Sequence, residues 1–188
     1  MKDKFIFILL AFVLSTIAVM PPETVKAKEP TGRTAIQEYV EAMQPGWNLG
    51  NTFDATGDET SWGNPKTTKE MIDAIAAAGF KSIRIPITWD HRMGDASDYI
   101  IDPDFLSRIK EVVDWSLDAG LYVMLNMHHD SWLWVYQMGM EYDEVLARYK
   151  ATWQQISEYF KDYPKNLCLQ ASMNHFLGLS LYNGVKRS

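Results

Sequence analysis

Polar and ionisable side chains recur at the ends of short apolar runs along this sequence. They are Asn48 and Asn51 after the first run, Arg84 within the second, Asn126, His128, His129 and Asp130 after the third, and Asn174 after the fourth. If these runs are parallel strands, their carboxyl ends meet at one edge of a sheet, where α/β enzymes place their active sites. Arg84 stands among alternating isoleucines, and burying it there is costly unless a polar partner compensates its charge. We therefore expect a site built around Arg84.

The consecutive residues His128, His129 and Asp130 raise the alternative of a zinc site, because imidazole and carboxylate groups bind zinc. Neighbouring residues of a strand point to opposite faces, so we do not expect these residues to share one ion. We predict no metal and no cofactor. A metal-dependent hydrolase is kept as an alternative function, and metal analysis of the purified protein tests it.

Strand and helix patterns alternate along the chain and would position these side chains. Expected strands cover 46–53, a run entered at Lys81, 121–127 and a run from Leu167, and expected helices cover 67–79, a segment from Asp102-Pro103 to Gly120, and 142–160. Thr67 and Glu70 predict a capping box at the start of the first helix. The order β-α-β-α-β-α-β predicts a parallel sheet with right-handed crossovers.

Such a sheet belongs either to a (β/α)8 barrel or to an open, doubly wound fold. The turn after the first strand, GWNLGNT at 46–52, has two glycines but no GxGxxG, and the chain has no P-loop motif. A nucleotide-binding sheet is therefore disfavoured. We predict the (β/α)8 (TIM) barrel class, with only about the first four βα units present, since a complete barrel takes about 250 residues.

Composition excludes several other classes of protein. The 188 residues have a net charge of −6, and 13% of them are aromatic. The acidic balance argues against a nucleic-acid partner, which requires a basic surface, and the aromatic content argues against disorder. The single cysteine, Cys168, excludes an internal disulfide framework and a four-thiolate zinc site.

The first 27 residues have the pattern of a secretory signal peptide. Lys2 and Lys4 precede an apolar run over 5–20, and Val25-Lys26-Ala27 offers small residues before a cleavage point. The alternative is an uncleaved membrane anchor, although the run is slightly short for a span of about 20 residues. We expect cleavage after Ala27, no stable membrane association afterwards, and a linker over 28–36.

Four motifs follow one another along the chain: GWNLGNTFDA (46–55), ETSWGNP (59–65), IRIPITW (83–89) and LNMHHDSW (125–132). In this order and spacing, over about 37–176, they resemble glycoside hydrolase family 5, and most closely its bacterial endoglucanases. The resemblance implies a bacterial enzyme with a (β/α)8 barrel, and the signal-peptide pattern implies that it is secreted. The resemblance also implies hydrolysis of β-1,4-glucan with retention of configuration, by two glutamates and without metal. The acid/base Glu is expected in an Asn-Glu-Pro motif that ends strand four, and the nucleophile Glu at the end of strand seven.

The resemblance also implies roles for individual residues. Arg84 would hold the nucleophile ionised and oriented, the alternative being a structural salt bridge. His128 would hydrogen-bond beside the cleaved bond, while His129 supports it or contacts a sugar hydroxyl. Among the tryptophans, which could also be core residues, Trp62 is the expected stacking platform because its loop is rich in Gly, Asn and Pro. Asn51 is a further candidate for binding a β-glucan polysaccharide or oligosaccharide.

The family pattern breaks where the acid/base residue is expected. Asn174 aligns with the motif's Asn, but His175 stands in place of the Glu, and no Glu follows Glu158. A single substitution is one explanation. The other is a frameshift near 167–171, because residues 172–178 can be encoded TCA ATG AAC CAT TTT TTA GGN, which in another frame contains Asn-Glu-Pro. It would also explain the unfamiliar tail over 177–188.

The motifs indicate that the full-length parent is an endoglucanase. Because this chain lacks both catalytic carboxylates, we expect the chain itself to be inactive. A half barrel leaves parallel edges unpaired, which predicts low stability and aggregation. The second candidate function is a non-catalytic carbohydrate-binding remnant that uses Trp62, Asn51, Arg84 and the two histidines. The parent's preference among cellulose, mixed-linkage glucan, xyloglucan and mannan is left open, as is the oligomeric state.

Overall fold

Four parallel strands form one sheet in a computed structural model that describes residues 32–96 and 98–171. They are β1 (Gly46–Asn48), β2 (Ser82–Ile87), β3 (Tyr122–Met127) and β4 (Leu167–Gln170), and they pair in sequence order. The helices are α1 (Ala35–Ala42), α2 (Lys69–Ala77), α3 (Pro103–Asp118), the short α4 (Asp130–Leu133) and α5 (Tyr142–Tyr159). The predicted alternation of strands and helices and the parallel sheet are confirmed.

The two central strands bury one row of alternating apolar side chains against the helices. Ile83, Ile85 and Ile87 of β2 and Val123 and Leu125 of β3 are almost completely buried. Asp102, at the predicted start of its helix, caps α3 and accepts hydrogen bonds from the N–H groups of Asp104 and Phe105. Gly120 follows that helix with a left-handed φ of 80°, which suits glycine because it has no Cβ.

The helix before β2 begins at Lys69, two residues after the predicted start at 67. Thr68 caps α2, and its Oγ1 accepts a hydrogen bond from the Met71 N–H at 3.4 Å. The predicted capping box of Thr67 and Glu70 is therefore wrong. Thr67 is instead buried, and its N–H donates to the Glu59 carboxylate at 2.7 Å. A tertiary contact thus outweighs the local capping pattern.

Strand β1 ends at Asn48, whereas the sequence predicted a strand through Phe53. After β1 the chain turns, and Asn51 adopts a left-handed φ of 60°. Thr52 stabilises this turn, since its hydroxyl donates to the Leu49 carbonyl at 2.8 Å and its N–H donates to Asp54 Oδ1 at 2.9 Å. The polar residues of this segment satisfy their hydrogen bonds within the turn, which removes it from the sheet.

Helix α1 was missed, and it begins inside the segment predicted as a linker over 28–36. Thr34 and Gln37 form a capping box, in which the Thr34 N–H donates to Gln37 Oε1 at 2.8 Å. Tyr39 connects the helix to the rest of the fold: its hydroxyl donates to the Lys165 carbonyl at 2.7 Å, and its ring meets the Tyr122 ring edge-on. The helix therefore contacts the chain near the amino ends of β3 and β4.

Several predictions concern residues outside the described part of the chain. They are the signal peptide over 1–27, Asn174, His175 and the tail over 177–188. Within 32–96 and 98–171, no helix is long and apolar enough to cross a bilayer.

Candidate active site at the carboxyl ends of the strands

Arg84 connects the first three strands at the carboxyl edge of the sheet. It lies beside Asn48 in the β1–β2 register, and its Nη1 donates to Asn48 Oδ1 at 2.6 Å. Its Nη2 lies 3.2 Å from His128 Nδ1, just beyond the end of β3. Burial lowers the pKa of Arg84, but arginine stays charged at neutral pH. The guanidinium is therefore a cation held in place by neutral partners.

His128 and His129 lie side by side rather than on opposite faces. Their ring centroids are 4.3 Å apart. The alternation expected of a strand does not apply, because β3 ends at Met127 and His129 has helical angles of φ −79° and ψ −12°. The Ser131 hydroxyl, which donates to the His128 carbonyl at 2.9 Å, stabilises this bend. The geometric reason given against a shared ligand is therefore wrong.

Asp54 is a buried member of this cluster that sequence reasoning did not single out. Its Oδ2 lies 3.8 Å from His129 Nε2. The carbonyl of Asp54 accepts a hydrogen bond from the Thr88 hydroxyl at 2.7 Å, which holds the loop after β1 against the end of β2. Its only sequence signal was its place in the motif at 46–55. Sequence spacing alone does not pair Asp54 with His129, which follows β3.

Asp54, His128 and His129 offer ligand atoms that lie within 4.8 Å of one another, which is close enough for a metal ion. The hydrogen bonds of the two rings oppose this use. Nδ1 of His128 faces the Arg84 guanidinium, and Nδ1 of His129 accepts from the Trp132 indole N–H at 2.9 Å. Both partners can only donate, so these nitrogens use their lone pairs, and a cation would also meet the charge of Arg84. The donor set fits hydrogen bonding better than metal binding.

Burial keeps both histidines neutral at physiological pH. It is the main cause that lowers the pKa of His128 to about 4, and the neighbouring His129 and Arg84 act in the same direction. Burial also lowers the pKa of His129, against the weaker opposing effect of Asp54 and Asp130. Neutral imidazoles can donate and accept hydrogen bonds without the cost of burying a charge.

Exposed aromatic rings flank the histidines. Trp62 is 40% exposed and Trp132 is 51% exposed. The centroids of their rings lie 5.2 Å and 5.4 Å from the ring of His129. Trp89 and Trp134, by contrast, are buried core residues. An exposed indole beside neutral hydrogen-bonding groups is the combination that stacks on a sugar ring and binds its hydroxyls.

A partly buried ion pair supports the loop that carries Trp62. Arg108 of α3 donates to both carboxylate oxygens of Glu59, at 2.9 Å and 3.0 Å, and also to the Thr67 carbonyl. Burial raises the pKa of Glu59, but the bonds from Arg108 and Thr67 outweigh it, so the pKa lies below its usual range. The carboxylate is therefore ionised and fixes the end of this loop to α3.

The other predicted site residues are Asn51, Asn174 and the acid/base position at His175. Asn51 is exposed in the turn after β1, and its side chain forms no hydrogen bond with the residues that the structure describes. Asn174 and His175 lie outside the described residues, so the relation of the expected acid/base position to Arg84 stays a prediction. The structure thus brings together Arg84, His128, His129 and Trp62.

The chain matches the family model "Cellulase (glycosyl hydrolase family 5)" over residues 48–178. It is 52% identical over 172 residues to "Endoglucanase B" of Paenibacillus lautus, covering 90% of this chain and 30% of that protein. It is also 46% identical over 161 residues to "Endoglucanase B" of Clostridium cellulovorans, covering 82% of this chain and 36% of the relative.

Solved structures show the same relationship. The tri-modular endo-beta-1,4-glucanase B from Bacillus halodurans superposes with a TM-score of 0.73 and 57% identity, over 76% of this chain and 27% of that one. A family 5 xyloglucanase from Paenibacillus pabuli gives a TM-score of 0.70 and 40% identity, over 73% of this chain and 40% of that one.

The chain spans about a third of the length of the first of these relatives, so the described strands are those of a partial (β/α)8 barrel. The matches cover the motifs that place Arg84, His128 and Trp62 at the carboxyl ends of the strands. The chain therefore belongs to glycoside hydrolase family 5, the cellulase family.

Proposed function

We propose that this chain is the amino-terminal part of the catalytic domain of an endo-β-1,4-glucanase, and that its described residues bind one stretch of a β-glucan chain. The contact that carries the proposal is the Arg84 guanidinium between Asn48 and His128. The adjacent ring of His129 lies beside the exposed indole of Trp62. The two sequence relatives described above are both called endoglucanase B, and two related structures are complexes with cellotetraose and cellotriose.

Retaining hydrolysis requires two carboxyl groups about 5 Å apart, one as nucleophile and one as acid and base. The carboxylates near the described cluster already have structural partners. Asp54 accepts from the Thr52 N–H, and Asp130 accepts from the Trp89 N–H and the Trp134 indole. In the printed sequence His175 stands at the expected acid/base position, and no Glu follows Glu158. We therefore propose that this chain binds glucan without hydrolysing it.

Two measurements on the purified chain test this function. Isothermal titration with cellotetraose should show binding, and incubation with a soluble β-glucan should release no reducing sugar. Absence of binding would overturn the glucan-binding proposal, and release of reducing sugar would overturn the proposal that the chain is inactive. Metal analysis of the same sample tests the metal-dependent alternative, which predicts a stoichiometric ion.

The preferred glycan is a separate part of the proposal. Related structures include xyloglucanases as well as endoglucanases, so titration with cellotetraose, a xyloglucan oligosaccharide, a mixed-linkage oligosaccharide and mannotetraose is the direct comparison. We propose the unbranched β-1,4-glucan as the tightest ligand, because the tri-modular relative from Bacillus halodurans is named for it. Tighter binding of any other oligosaccharide would overturn this assignment.

Secretion is also proposed. The charged start and the apolar run over 5–20 support export, with cleavage after Ala27. Expression in a bacterial host followed by mass determination of the protein in the medium tests it. A mature protein that starts at Lys28 is the expected result, whereas retention of the intact chain in the membrane fraction would support the anchor alternative.

A further inference from the structure

The hydrogen bond between Trp132 and His129 determines which ring nitrogen of that histidine carries the proton. The indole Nε1–H lies 2.9 Å from His129 Nδ1. An indole N–H donates and never accepts, so Nδ1 must present its lone pair. In a neutral imidazole the single proton then lies on Nε2. Trp132 therefore selects one of the two neutral tautomers of His129.

The selected tautomer places a hydrogen-bond donor inside the cluster. His129 Nε2 lies 3.8 Å from Asp54 Oδ2, on the side of the ring opposite Trp132. That distance is too long for a direct hydrogen bond, so Asp54 does not fix the tautomer by itself. It leaves Nε2–H able to donate to an oxygen of a ligand, while the carboxylate can accept from the same ligand.

We propose that Trp132 is a positioning residue, which holds His129 as the Nε2–H tautomer so that the ring donates to a hydroxyl oxygen of the bound glycan. The sugar part of this inference depends on the proposed function, whereas the tautomer part does not. This inference assigns Trp132 a role distinct from stacking, although its indole is half exposed in α4, close to the histidines.

Arg84 acts on His128 in the same way, since a guanidinium also has only donors to offer Nδ1. The two adjacent rings are therefore held in the same tautomer by partners from different elements. In this shared tautomer each ring has an Nε2–H that can donate to a hydroxyl group. A cation site would instead require an available lone pair on each ring.

Trp62 provides a matched control within the same protein. Its ring lies 5.2 Å from that of His129, close to the 5.4 Å of Trp132, and the two interplanar angles are 49° and 57°. The hydrogen bond to His129 comes from Trp132. Replacing either indole by phenylalanine keeps an aromatic ring beside the histidine, and only Trp132→Phe removes the donor.

The experiment is long-range ¹H–¹⁵N correlation spectroscopy of the histidine rings, on the full chain at pH 7.5 without glycan. The wild-type His129 should show the Nε2–H pattern. Trp132→Phe should convert it to a mixture of tautomers, and Trp62→Phe should leave it unchanged. A wild-type Nδ1–H pattern overturns the inference, and so does a pure Nε2–H pattern in Trp132→Phe. The wild-type spectrum decides the tautomer even if the variant does not fold.

Titration with cellotetraose tests the second half of the inference. Trp132→Phe should bind about threefold to tenfold more weakly, as expected when one hydrogen bond is lost, while Tyr136→Phe on the same loop should bind like the wild type. Equal affinity of Trp132→Phe and wild type would overturn the role in glycan binding. If the wild type binds no glycan, the proposed function fails, and the tautomer result stands independently.

Discussion

The carboxylate of Asp130 accepts a hydrogen bond from the backbone N–H of Trp89 at 2.9 Å. This bond joins the segment after β3 to the segment just beyond the end of β2. The other carboxylate oxygen of Asp130 accepts from the Trp134 indole at 2.8 Å. Asp130 is completely buried, and this burial raises its pKa against the effect of both hydrogen bonds. One buried side chain therefore determines how the loop that carries both histidines sits against β2.

Replacing this carboxylate should destabilise the fold markedly. In Asp130→Asn, the amide NH2 must face one of the two N–H donors, so we expect a loss of about 2 to 3 kcal/mol in the free energy of unfolding. Urea denaturation followed by tryptophan fluorescence measures it. Asp162→Asn, at an exposed position, should change stability by less than about 0.5 kcal/mol. Equal stability of the two variants would contradict a structural role for Asp130.

The ion pair between Glu59 and Arg108 should matter more than surface ion pairs do. Their side chains are only 12% and 15% exposed, so Glu59→Gln should cost about 2 kcal/mol and expose the loop at 59–65 to protease. The control is Lys69→Ala, which breaks a pair whose side chains are both 48% exposed and should change stability far less than Glu59→Gln does. Denaturation midpoints and limited proteolysis measure both effects.

Trp62 should contribute to glycan affinity without contributing to stability. We expect Trp62→Ala to weaken cellotetraose binding about fivefold, equivalent to about 1 kcal/mol of lost stacking, and Trp62→Phe to retain most of the affinity. Calorimetric titration measures binding, and the thermal midpoint should stay near that of the wild type because the indole is partly exposed. An unchanged affinity in Trp62→Ala would exclude this ring as a sugar platform.

The stability of the chain should depend on the protonation of His128. Its pKa is about 4 in the fold, below the usual value near 6.5, so the unfolded chain binds more protons between these two values. Stability should therefore rise as pH increases from about 4 to about 6.5, and the contribution of His128 should be constant above that range. Denaturation of the wild type and of His128→Asn at several pH values measures this. The free energy of unfolding should rise less steeply with pH in the variant than in the wild type. Identical slopes would contradict the low pKa of His128 in the fold.

The nucleotide sequence should explain the break in the family pattern. We expect that an insertion or deletion near the codons for 167–171 moves Asn-Glu-Pro out of frame. Resequencing the gene measures this directly. Codons for 172–178 that encode no Asn-Glu-Pro in any frame would contradict the frameshift explanation and leave a substitution at His175.

Local pattern was enough to predict the order of the elements. The alternating isoleucines of β2, the cap at Asp102 and the glycine at 120 are each determined by neighbours in the chain, and the structure confirms all three. The family motifs also indicated Arg84, His128 and Trp62 before any contact between them was known. Helix α1 could have been found in the same way, from the Thr34 and Gln37 capping box.

Only the tertiary structure decided which groups meet. Asp130 and Trp89 are 41 positions apart, and Arg84 and His128 are 44 apart, so no local spacing pairs them. The meeting of Asp54 with His129, and the cap at Thr68 instead of Thr67, likewise depend on how loops from different strands lie together. The sequence determined the kinds of side chain at the sheet edge. The packing of the loops determined their partners, and with them the protonation of the histidines.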